Sequence, residues 1–110
     1  MTYGYLKDMR FMDEPCYVYC LVDPWKRGNP PFYIGISKNP WYRFYEHSHD
    51  RCSAAYDTLQ ILLTMKEPRD RILKIYKECR DRRSATDLEY RLVTSTPGLL
   101  NRPYKKGKSY

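Results

Sequence analysis

A chain of 110 residues holds one domain with a single modest core, and twenty Lys and Arg against thirteen Asp and Glu leave it a formal charge of +7. Excess base interleaved with twelve tyrosines suits a polyanion that also offers faces to stack on, a nucleic acid; the plain alternative is a basic protein that its charge keeps dispersed. No apolar run reaches membrane-spanning length and no N-terminal apolar segment argues for export, which sets aside a membrane protein and makes a reducing, intracellular setting (cytoplasmic, or nuclear in a eukaryote) the expectation.

Residues 1–14 carry no sustained period and read as an irregular arm with Tyr3, Tyr5 and Phe11. From Cys16 the sequence CYVYCLV alternates, with Val18, Cys20 and Val22 on one side and Tyr17, Tyr19 and Leu21 on the other, the pattern of a strand. In FYIGI, Phe32, Ile34 and Ile36 make an apolar face from which Tyr33 and Gly35 point away. The intervening DPWKRGNPP predicts a hairpin with a longish loop. Paired, these strands put Tyr19 and Tyr33 on one sheet face, beside a glycine that leaves room for a close approach.

Asn39-Pro40 is a helix start, an N-cap residue before proline. Arg43 and His47, four apart, share a face of that helix, and Trp41, Phe44 and Tyr45 are expected to supply its packing stripe. HSHDRCS should end or bend it. The apolar residues Ala55, Leu59, Leu62, Leu63 and Met65 fit a second helix over about 54–66, capped by Ser53, and Glu67-Pro68 stops it. Residues 69–79 fit a helix and a strand about equally, and periodicity does not decide between them. Ser84 to Asp87 reads as a capping box for a helix running to about Thr94, with Leu88, Leu92 and Val93 inward and Glu89 one position round. The tail 102–110 is basic, lacks apolar anchors and is expected to be mobile.

The cysteines, Cys16, Cys20, Cys52 and Cys79, form no CxxC pair and no zinc pattern. His47 and His49 are two apart on a helix and diverge, which makes a poor chelate. Taken singly, each polar or aromatic residue above has a bland reading. Tyr19 and Tyr33 fit strand packing, Arg43 and His47 a solvated stripe, Glu89 a surface acid and Asn101 a turn cap.

Taken in order, the residues form a set. Tyr17-Val18-Tyr19, Tyr33-Ile34-Gly35, Arg43 eight positions after Gly35, His47, Glu89 and Asn101 together resemble the GIY-YIG nuclease superfamily over roughly residues 16–101. The context DP…G…PFYIG is also loosely similar to the branch containing animal LEM-domain nucleases. Tyr17 stands where the family has its first glycine, and the loop between the motifs is longer than usual.

The resemblance implies an α+β domain spanning 1–110, a small three-stranded, mainly antiparallel sheet flanked by about three helices, with the third strand at about 69–77. It implies a DNA endonuclease using one divalent metal, Mg²⁺ or Mn²⁺, and leaving 5′-phosphate and 3′-hydroxyl ends. Tyr19, Tyr33, Arg43, His47 and Glu89 would be the catalytic set, Glu89 the metal ligand and Gly35 a structural residue. Lys38, Asn101, Arg102, Lys105 and Lys106 are candidate DNA contacts. One such site cuts one strand, so double-strand cutting would need a homodimer or successive events, and target choice could come from a partner. The rival expectations are a nucleic-acid-binding module that kept the fold and lost catalysis, and a structural interaction protein.

Overall fold

The computed structural model describes residues 14–101. The N-terminal arm and the tail, with Arg102, Lys105 and Lys106, lie outside the described residues. Three strands, β1 (Cys16–Val22), β2 (Pro31–Ser37) and β3 (Leu73–Cys79), form one antiparallel sheet in the order β2-β1-β3. Among the described residues four helices surround it: α1 (Pro40–His49), α2 (Tyr56–Thr64), the single turn α3 (Arg69–Ile72) and α4 (Arg82–Ser95). None of the described helices is long and apolar enough to cross a membrane.

β1 is apolar along almost its whole length because it is the central strand and both its faces are covered. On one face Tyr19 and Leu21 pack with Phe44 of α1, Leu59 and Leu62 of α2, and Ile72. On the other, Cys16, Val18, Cys20 and Val22 pack with Ile34, Cys79 and Ala85, against which Leu88, Leu92 and Val93 of α4 close. All four cysteines are free, so burial of Cys16, Cys20 and Cys79 makes them small apolar groups of this layer.

The register puts Tyr19 opposite Gly35 and Leu21 opposite Tyr33, so Tyr19 and Tyr33 share a face as diagonal neighbours. The shift between Leu21 and Val22 moves Phe32 to the Tyr19 layer, away from Ile34 and Ile36 with which strict alternation grouped it. The hairpin loop is tied by hydrogen bonds from Asp23 N to Pro30 O and from Asn29 N to Lys26 O, and turns through positive φ at Gly28.

Other local expectations are corrected by long-range packing. Phe44 is buried, whereas Trp41 and Tyr45 face solvent, so the stripe of α1 is Phe44 with His47 and Ser48. Ser53 makes no cap for α2, which begins after Ala55. Residues 69–72 form a helical turn before the strand, since Pro68 is already extended and can open a helix, and Ile72 sits fully buried. The cap of α4 is Asp81, whose side chain accepts the Ser84 N–H, three residues earlier than the capping box predicts.

Candidate active site

A cleft of about 470 Å³ opens along the β2 side of the sheet. Tyr33 of β2, Arg43 and His47 of α1, Glu89 of α4 and Asn101 all line it. Arg82, Thr86 and Glu89 reach it from one side of α4, at i, i+4 and i+7, because Ala85 and Leu88 turn that helix's neighbouring stripe onto the sheet. Thus the two layers of the domain each contribute a wall.

Tyr19 does not line this cleft. It lies beneath it, 1 % exposed, with its hydroxyl 2.9 Å from His47 Nε2. The other ring nitrogen, Nδ1, is 2.6 Å from Ser53 Oγ, which also accepts the Ala55 N–H. Two tautomers satisfy both ring nitrogens, and only the one protonated on Nδ1 leaves Nε2 free to accept the Tyr19 proton. Tyr33 stands edge-on to His47 at 4.5 Å between centroids and near-parallel to Tyr19 at 6.4 Å.

Burial pushes the Tyr19 phenol above its ordinary range, and the neighbouring Tyr33 adds to this; the Arg43 guanidinium works the other way. Burial, and then the positive charge of Arg43, hold His47 down to about 4, so its imidazole is neutral near pH 7. The phenol and the imidazole are thus a hydrogen-bonded pair in which both groups are uncharged near pH 7.

Gly35 is where the backbone and this ring meet. A Cβ built on it would lie 2.6 Å from Tyr19 Oη and 2.8 Å from its Cζ, so the space expected beside this glycine is filled by Tyr19 itself. Arg43 gives Nη1 to Glu46 Oε1 at 2.6 Å, an i,i+3 pair that sets the guanidinium on the cleft wall. Asn101 accepts the Ile34 N–H at 3.0 Å and donates to the Ile34 carbonyl at 2.7 Å. With Leu100 N–H on the Phe32 carbonyl, it closes the outer edge of β2 as a substitute strand. Lys38 pairs with Glu14 at 2.8 Å and is absent from the cleft wall; the cation acting on Tyr19 is Arg43.

Sequence reasoning passed over Glu46 and Thr86, took Ser53 only for a helix cap and took Arg82 only for solvated charge along which a DNA backbone could run. Glu46 follows Arg43 by three, and Arg82 and Thr86 precede Glu89 by seven and three, so helical spacing carried a signal for those. Ser53 carried none, since only the folding back of the 50–55 loop brings it to His47.

No group of three or more His, Cys, Asp or Glu poised for a metal occurs among the described residues. Glu46 is engaged by Arg43, while Glu89 stands on the opposite wall. That donor set fits an ion that keeps most of its ligands from water and substrate, as Mg²⁺ does.

The mixed sheet-and-helix domain thus sets Tyr33, Arg43, His47 and Glu89 around one open cleft, with Tyr19 buried beneath. The family model of the GIY-YIG catalytic domain matches residues 15–98, and the chain belongs to this family. Its fold is therefore a nuclease fold, for which DNA is the substrate and a divalent metal the general cofactor. Comparisons with curated proteins and with solved structures yield no match.

Proposed function

We propose that this chain is a metal-dependent DNA endonuclease that hydrolyses phosphodiesters to 5′-phosphate and 3′-hydroxyl ends, one strand at a time, in the cleft between α1 and α4. The observation that carries this reading is the convergence of Tyr33, Arg43, His47 and Glu89 from three elements above the buried Tyr19–His47 hydrogen bond. Arg43, one nitrogen already fixed by Glu46, offers its remaining donors to the non-bridging phosphate oxygens, a planar fork that lysine cannot copy. Tyr33 orients the phosphate or the attacking water through its hydroxyl.

Tyr19 serves as the base. Its oxygen takes a proton from the attacking water while its own passes to His47 Nε2, and Nδ1–H on Ser53 Oγ holds the imidazole in the accepting tautomer. Burial makes the phenol a weaker acid and His47 a weaker base than usual, so no standing phenolate is present; the proton moves only as the water loses its own, with the Arg43 guanidinium favouring the charged phenol oxygen. Glu89 would hold Mg²⁺ or Mn²⁺, which supplies charge neutralisation at the phosphate and a more acidic bound water. Lys38, off the cleft wall, and the basic residues Arg102, Lys105 and Lys106 of the C-terminal sequence would follow the DNA backbone with a salt-sensitive, sequence-independent grip.

The test is supercoiled-plasmid nicking by the purified chain in Mg²⁺, with EDTA and Glu89→Ala as controls. Conversion to nicked circles that both controls abolish is expected. Cleavage retained by folded Glu89→Ala would refute the assignment, and salt-sensitive DNA binding without any cleavage would indicate the silent binding module instead.

A further inference from the structure

The outward side of α1 carries an aromatic feature that the chemistry above does not use. Tyr42, Tyr45 and His49 recur at i, i+3 and i+7 and so stand one above another along the helix. Their rings form a column: Tyr42 and Tyr45 lie 6.3 Å apart between centroids and 19° from parallel, Tyr45 and His49 4.1 Å apart and 24° from parallel. The column is set in place, with His49 Nδ1 2.9 Å from the Tyr45 carbonyl and 3.0 Å from Ser48 Oγ. Yet Tyr42 and Tyr45 are 58 % and 52 % exposed, and neighbouring Trp41 is 48 % exposed, so these rings contribute little to the core. Beside them a hollow of about 230 Å³ between α1, α2 and α3 is lined by Trp41, Tyr45, His49, Gln60 and Arg69.

We propose that this column is a stacking platform for unpaired bases, so that the preferred substrate carries a single-stranded segment next to the duplex held in the cleft. The proposal rests on the nuclease reading above for its biological meaning, and on the column alone for its chemistry. Among the described residues no further ring stacks on either end of this near-parallel column, and a nucleobase is a flat ring that can extend it; every base has such a face, so the contact tolerates any sequence. Charge points to the same occupant, since the chain carries +7 and Arg69 sits in the adjoining hollow, where a phosphate backbone rather than an apolar helix is welcome. Position does as well. Tyr42 and Tyr45 directly precede the cleft-lining Arg43 and Glu46 on a helix about 10 Å across. A strand leaving the cleft over α1 reaches the column within a nucleotide or two.

The experiment is fluorescence anisotropy of the full chain in EDTA, where no cleavage intervenes, with a short labelled oligothymidine and an abasic oligonucleotide of equal length and charge. The base-bearing strand should bind roughly tenfold tighter, as expected for one aromatic stack. Added salt should weaken both and preserve their ratio. Tyr45→Ala combined with His49→Ala should bring the ratio close to one, while Tyr45→Phe keeps it. Equal affinity of the unaltered chain for the two strands overturns the proposal, and so does a ratio that survives the double substitution. Failure of plasmid nicking would refute the nuclease reading and leave this ratio unaffected, so the two can fail separately.

Discussion

Gly35→Ala isolates the contact between the sheet backbone and the buried tyrosine. The added methyl would lie 2.6 Å from Tyr19 Oη, 2.8 Å from Cζ and 3.0 Å from Cε1, closer than a methyl group tolerates. The ring has no easy retreat: it is 1 % exposed, bonded to His47 at 2.9 Å and flanked by Tyr33. Overpacking of this kind costs about 1–3 kcal/mol. For a domain of this size that corresponds to a fall in Tm of roughly 5–20 °C, measurable by circular dichroism. The same displacement carries the hydroxyl away from His47 Nε2, so nicking should fall with it. Because the nearest clash is with the hydroxyl, the cost of Gly35→Ala should shrink in the Tyr19→Phe background without vanishing, as Cζ remains close. An alanine variant as stable as the unaltered protein, or an equal cost in both backgrounds, would refute the reasoning.

Arg43→Lys should lower the nicking rate about a hundredfold in single-turnover assays while leaving Tm near its original value, since a point charge replaces a planar fork at a half-exposed position. Asn101→Ala should lower the urea midpoint, by about 1–3 kcal/mol in unfolding free energy, because the Ile34 N–H and carbonyl both lose their partner at the sheet edge. The folded-state His47 titrates near 4 against an ordinary value of about 6.5, so the unfolded chain binds the extra proton between them. Stability from this group is complete above the ordinary value and is lost as pH falls toward 4; Glu46 and Asp50 nearby oppose the shift and Arg43 reinforces it. Thermal melts from pH 7 to pH 4 should show that loss, and His47→Gln should flatten it; an equally steep acid-side loss in His47→Gln would refute the attribution.

Much of this molecule can be read locally. Alternation by itself assigns Tyr19 and Tyr33 to a common face, because a strand's side chains change sides at every residue and the Pro- and Gly-rich loop leaves only hairpin pairing. Helical spacing likewise determines that Arg43 and His47 lie together and that Glu89 sits beside the stripe of Leu88 and Leu92. These are properties of a few consecutive residues, and the sheet of three antiparallel strands agrees with them. Distant contacts decide features of a different kind. Residues 69–72 become a helical turn because Ile72 is buried beneath β1, and Trp41 and Tyr45 turn outward because Phe44 and His47 occupy the only stripe the sheet can cover. Ser53 meets His47 through loop closure, and Glu89 reaches the cleft from the opposite layer of the domain. Composition and spacing therefore determine which chemical groups the chain owns and roughly on which element each stands. Burial, which sets the protonation of Tyr19 and His47, belongs to the tertiary structure alone, because it depends on what the rest of the chain lays over them.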